Sequence, residues 1–130
     1  KLPFVGHTAL FHFLQNTELV SLLLGNDATN PNLANEQGIT PLQESCDRCC
    51  KQTIEKIIFD ERTKVSLEVA VDCLNRVKNR RNSPLTVVEV AYLFCSLHGF
   101  IPVELFPDDT DLQIELQNKI SLLRRKSVRQ

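Results

Sequence analysis

Apolar residues recur along the chain at three- and four-residue spacing, and the fold class this predicts is all-α. In "NTELVSLLLGND", Leu19, Val20, Leu22 and Leu23 fall on adjoining turns, and Gly25 marks the end. In "CKQTIEKIIFDE", Ile54, Ile57 and Ile58 follow i, i+3, i+4 spacing. From Ser66 to about Asn79, Leu67, Val69, Ala70, Val71, Cys73, Leu74 and Val77 give a broad apolar face. "VKNRRNSP" stops that helix, and Thr86-Val87-Val88-Glu89 has the spacing of a capping box that opens the next. The last element is predicted from about Asp109 to Lys126, with Leu112, Leu116, Ile120 and Leu123 on one face. Between the first two helices, "ATNPNLANEQGIT" is rich in Asn, Pro and Gly, which is turn chemistry.

Two stretches open alike: "GHTALFHFL" from Gly6 and "GITPLQESC" from Gly38. Their threonines, Thr8 and Thr40, are 32 residues apart, and each "TxL" is followed by two short helical patterns. With "LVSLLLGNDATNPNLANEQGITPL" between them, residues 6–62 resemble the ankyrin repeat family, whose period is about 33 residues with a T-P-L-H-x-A signature. In such a unit Thr and Pro open the inner helix, the next Leu (Leu10, Leu42) faces the core, and each unit buries its face on a neighbour. Repeat one departs from the family at Ala9, Phe11 and Phe13, and repeat two at Gln43 and Cys49. Residues 63–130 are expected to form a helical extension that caps the repeats within a single domain spanning 1–130. Ser83-Pro84-Leu85 with Gly99 to Leu105 also resembles a distorted third repeat over residues 83–106, against the helix start at Thr86 as the alternative.

Composition narrows the functional class. The chain has 130 residues, 42% hydrophobic and 24% charged, and no apolar run approaches the roughly 18 residues of a membrane span. "KLPFVGHTAL" has neither the long apolar run nor the small-residue cleavage site of a signal peptide. A net charge of −1 predicts no nucleic-acid partner. The charge is nevertheless segregated. Glu104 to Glu115 holds five acids and no base, and Lys119 to Arg129 holds five bases and no acid, an order that suits a helix dipole. Five cysteines without framework spacing fit a reducing compartment, so an intracellular protein, cytoplasmic or nuclear, is expected.

Candidate chemistry is sparse. Cys46, Cys49, Cys95 and His98 make up a Cys3His zinc ligand set in two pairs, with buried thiols as the competing account. Cys95 and His98 are also spaced as a nucleophile pair, but their helix is almost wholly apolar. His7 and His12 have no acid or nucleophile beside them in sequence, and no phosphate loop or catalytic signature is present. The expectation is a protein that is not an enzyme and needs no cofactor. Arg124-Arg125-x-Ser127-Val128 resembles the substrate motif of basophilic kinases, which makes Ser127 the candidate modification site.

The ankyrin resemblance implies a protein-interaction module, part of a larger protein. Carried over by position, its binding surface comprises Asn35, Glu36 and Gln37 in the loop and Gln43, Glu44, Asp47 and Arg48 on the inner helix of repeat two. Acids outnumber Arg48 there, so a partner with a basic segment is expected. The alternative is a structural role, as the end of a longer repeat array or a piece packed against another domain.

Overall fold

The computed structural model describes residue 10 and residues 13–48, 50–80 and 86–128, with side chains as far as Leu123. Seven helices and no strand occur among the described residues: α1 (Thr17–Leu24), α2 (Pro41–Arg48), α3 (Lys51–Phe59), α4 (Leu67–Lys78), α5 (Val87–His98), α6 (Pro102–Leu105) and α7 (Thr110–Val128). The fold is all-α, as the apolar spacing predicts.

Local chemistry sets the helix starts. Asn16, Ser66 and Thr86 each accept a backbone N–H three residues on, at 3.1, 3.2 and 3.3 Å. Asp109 does the same for α7 from Leu112, at 3.1 Å. Each such cap stabilises its helix by about 1 kcal/mol. The ends are less uniform. Gly99 ends α5 with φ 75°, the left-handed conformation that glycine takes without steric cost, whereas Gly25 ends α1 in right-handed geometry.

The helices stack in two layers. In one layer α2 packs on α4 and α4 on α6; in the other α1 packs on α3, α3 on α5 and α5 on α7. Across the layers the pairs are α2 with α3, α4 with α5, and α6 with α7, and α5 also touches α6. The second half of the chain therefore extends the layers begun by the first. The helix that follows residue 85 pairs with α4 before it. Within residues 86–106, α5 thus contacts both α4 and α6, and α5 starts at Thr86, whose hydroxyl caps it.

A single contiguous core runs through both layers, from Leu10 and Leu14 through Leu42, Ile54, Ile57 and Leu74 to Phe94 and Leu116. Leu10 and Leu42, which follow the two "TxL" threonines in the expected register, are 0% and 2% exposed. The rest of the first opening, residues 6–9, 11 and 12 with His7 and His12, lies outside the described residues, as do Cys49 and Ser83-Pro84-Leu85. Ser127 falls within α7, but its side chain lies outside them too.

One arginine stitches successive turns together. Arg62, in the turn after α3, donates from Nη1 to the carbonyls of Thr29 (2.8 Å) and Asn26 (3.3 Å), and from Nη2 to that of Leu24. It is held in place by Asp60, which accepts from Nε at 3.0 Å and Nη2 at 2.8 Å. Asn32 completes the seam by donating to the Arg62 carbonyl and accepting from the Lys64 N–H, both at 2.7 Å. The last carbonyl of α1 is thus satisfied by a cation 38 residues away, where both the hydrogen bond and the helix dipole favour positive charge.

Candidate functional site

The turn before α2 is built by Asn35. Its N–H donates to the Ile39 carbonyl at 2.9 Å, and its carbonyl accepts from Gly38 at 3.0 Å. Its side-chain Oδ1 accepts from the N–H groups of Gln37 (2.9 Å) and Ile39 (3.1 Å). Gly38 takes φ 79°, with open space where a Cβ would lie, so the glycine serves the backbone conformation and not a close contact. This leaves Glu36 and Gln37 exposed on a firmly closed turn.

Gln43 has a different role from the exposed contact residue the resemblance implies. Its Oε1 accepts from the Thr40 N–H at 2.9 Å while Thr40 Oγ1 accepts from the Gln43 N–H at 3.3 Å, a reciprocal capping box that starts α2. Its Nε2 donates to Asp72 Oδ2 on α4 at 2.7 Å. Beside it, Glu44 pairs with Arg48 at 2.7 Å, and Arg76 bridges Asp72 at 2.6 Å and Asp47 at 3.0 Å. Arg80 donates to the Cys46 carbonyl at 3.4 Å. The seven positions thus divide. Asn35 and Gln43 hold the backbone, Glu44, Asp47 and Arg48 sit in ion pairs, and Glu36 and Gln37 stand clear.

This geometry extends the face and changes its charge. Asp72 and Arg76 of α4 belong to it, and their i, i+4 spacing is the signal that could have added them from sequence. Each acid of α2 now lies against an arginine, and Glu36 has no ion pair among the described residues. The excess of negative charge expected over α2 is therefore largely neutralised within the chain.

Of the candidate zinc ligands, Cys49 lies outside the described residues, and Cys46 lies apart from Cys95 and His98. Cys46 is fully buried on α2, which makes no contact with α5, the helix that carries Cys95 and His98. Its thiol meets the Cys73 thiol of α4 instead, and that hydrogen bond, together with burial, pushes the Cys73 thiol well above its ordinary pKa. Among the described residues no three His, Cys, Asp or Glu side chains converge as metal ligands. Burial, with Glu104 nearby, raises the Cys95 thiol to about 11, far from the range of a nucleophile at neutral pH. His98 Nε2 is buried without a hydrogen-bond partner, and the ring lies 6.4 Å from that of Phe94.

Cys50 is the exception among the described thiols. It is exposed at the start of α3, with Thr53 Oγ1 at 3.5 Å and Thr17 Oγ1 at 3.6 Å from its sulfur. What burial it has pushes the thiol up, but the two hydroxyls and the Thr53 and Gln52 N–H groups outweigh this and bring it down to about 7. Alkylation of Cys50 is expected to rise through pH 7 and reach half its limiting rate there, with Cys46 and Cys73 protected in the folded chain. Peptide mapping of iodoacetamide-treated protein checks this. A Cys50 profile centred near pH 9, that of an ordinary thiol, would show the hydroxyls to be idle.

No protein-family model, curated protein or solved structure matches the chain. No helix among the described residues is long and apolar enough to cross a membrane.

Proposed function

We propose that the chain is a non-catalytic protein-interaction module of ankyrin-like helix-turn-helix repeats. Its turn at residues 35–38 and the polar face of α2 and α4 meet a partner protein. The observation that carries this reading is the turn itself. Four hydrogen bonds to Asn35 and Gly38 preorganise it, and at its tip it presents two exposed polar side chains, Glu36 and Gln37, that do no structural work. A preorganised tip loses little conformational entropy on binding. Free buried thiols favour an intracellular setting for the module. The arginines that face Glu44, Asp47 and Asp72 limit the pull on a basic segment to the region of Glu36, so recognition rests on hydrogen bonding as much as on charge.

The test compares capture by the intact chain with capture by a variant carrying Glu36→Lys, Glu44→Lys and Asp47→Lys. Glu36 and Asp47 are exposed and Glu44 is part-buried, and ion pairs of this kind contribute only about 0–1 kcal/mol each, so the variant should keep its helical signal. Binding should fall about tenfold or more, read by quantitative mass spectrometry after cross-linking. Equal recovery of every captured protein by the two chains would rule out this face.

A second reading, a piece that packs against another folded unit, is favoured by one observation. Ile101, Val103, Ile114 and Leu122 are each half exposed at the α6–α7 end of the stack.

A further inference from the structure

Among the described residues, helix α7 buries one face and leaves the opposite one uncovered. Leu112, Leu116 and Ile120 turn toward α5 and α6. On the far side, Asp111, Ile114, Asn118 and Leu122 form an exposed stripe, with Ile114 and Leu122 each 55% exposed. One turn further on, Arg125 occupies the next position of the same stripe. Along one edge, Ile114, Gln113 and Gln117 border a groove of about 440 Å³ whose other wall is Ile101, Pro102 and Val103.

The stripe is its own complement when reversed. Asp111 and Arg125 lie equally far from Asn118 on either side, and so do Ile114 and Leu122. Two such helices laid antiparallel, crossing at Asn118, set Ile114 against Leu122 of the second copy and Asp111 against Arg125 of the second copy. The acids Asp108 and Asp109 then fall near the second copy's basic last turns, and the helix dipoles oppose favourably. A parallel pair would place acids on acids. The dipole of a single helix accounts for acids first and bases last, but not for the apolar residues placed symmetrically between them.

We infer that this face of α7 is a self-association surface, pairing two copies of the chain antiparallel about a two-fold axis at Asn118. A C2 contact requires a surface that complements itself, which is the property this stripe has. Its size sets the affinity. From Asp111 to Arg125 it runs about 21 Å at 1.5 Å per residue and is one helix wide. That is short of the roughly 1,200 Å² of total buried area in a tight interface, so dissociation in the range of tens of micromolar is expected. The surface is separate from the turn and the α2–α4 face, so it stands or falls independently of the interaction function proposed above; it shares Ile114 and Leu122 with the second reading and assigns them to a second copy of the chain.

Sedimentation equilibrium of the full chain tests it. Between about 5 and 200 μM the apparent mass should climb from 14.8 kDa toward twice that value, with the rise weakened by added salt. Ile114→Asp should hold the chain at monomer mass across that range. Asp111→Arg and Arg125→Asp should each weaken association about tenfold, and the two together in one chain should restore it. On a Cys50→Ser background, Asn118→Cys should form a disulfide-linked dimer under mild oxidation, because that residue would meet itself on the axis. A chain that stays monomeric to 200 μM would overturn the inference, as would undiminished association of Ile114→Asp or a double charge swap that fails to restore the dimer.

Discussion

Phe94→Ala is expected to destabilise the fold by about 3–5 kcal/mol, a large share of the roughly 5–15 kcal/mol that a folded domain has to lose. Phe94 is the largest of the fully buried side chains among the described residues, at 0% exposed. It sits on α5, the helix that lies between α3 and α7 in one layer and touches α4 and α6 across the other. Truncation removes apolar contact and leaves a cavity where several helices meet, with little scope to collapse. Chemical denaturation measures the loss. Because stability in a stack is shared between neighbours, amide exchange should quicken more in α4 to α7 than in α1 and α2. A cost under 1 kcal/mol would mean that the core is not packed around this ring.

Arg62→Ala is expected to cost about 2–3 kcal/mol, an effect that depends on pH. Charge-assisted hydrogen bonds contribute about 1.5–3 kcal/mol each in mutational series, but the Arg62 side chain is 36% exposed, so solvent discounts the sum. Without the guanidinium, the Leu24 carbonyl at the end of α1 and the Asn26 and Thr29 carbonyls after it lose their donor, and the Asp60 carboxylate, 12% exposed, loses its counter-ion. The hydrogen bond from Arg62 holds the Asp60 carboxyl below its ordinary value, against a smaller opposing effect of burial. A carboxylate whose folded pKa is depressed adds stability above its unfolded value near 4, and that increment is lost as pH falls through the folded one. The gap between wild type and variant should therefore be full at pH 6–7 and narrow below pH 4. Urea midpoints at pH 7, 4 and 3 would show it, and a gap independent of pH would exclude Asp60 as the coupled group.

Helix content is legible in the sequence because it depends on neighbours in the chain. The 3.6-residue spacing and the capping-box pattern at Thr86 place the predicted starts of α1, α4 and α5 within a residue of those observed. Pairing is less legible. Which helix lies beside α5 depends on packing between layers, and the apolar run from Val87 to Leu97 covers so much of the helix that it singles out no one partner. Arg62 is the extreme case, since nothing in "FDERTK" signals a reach back to Leu24.

The candidate surface shows both outcomes. The Thr40-x-x-Gln43 spacing is a capping-box signature as well as a position on the family's binding face, and the structure uses it for the cap. Cys46 behaves as the small buried residue that the register asks for, but its contact with Cys73 arises from the stacking of α2 on α4 and has no trace in the spacing of either.

The Arg62 seam also determines where this chain can be lengthened. Residues inserted between Asn26 and Asn32 would tear hydrogen bonds that run to a turn more than thirty residues away. A graft between Glu36 and Gln37 would open the local Asn35 turn, but it breaks no hydrogen bond to a distant part of the chain. A reporter peptide or an affinity tag placed at that second point should leave the helical stack intact at the cost of that turn. The two ends of a single connecting loop thus differ sharply in their tolerance to added sequence.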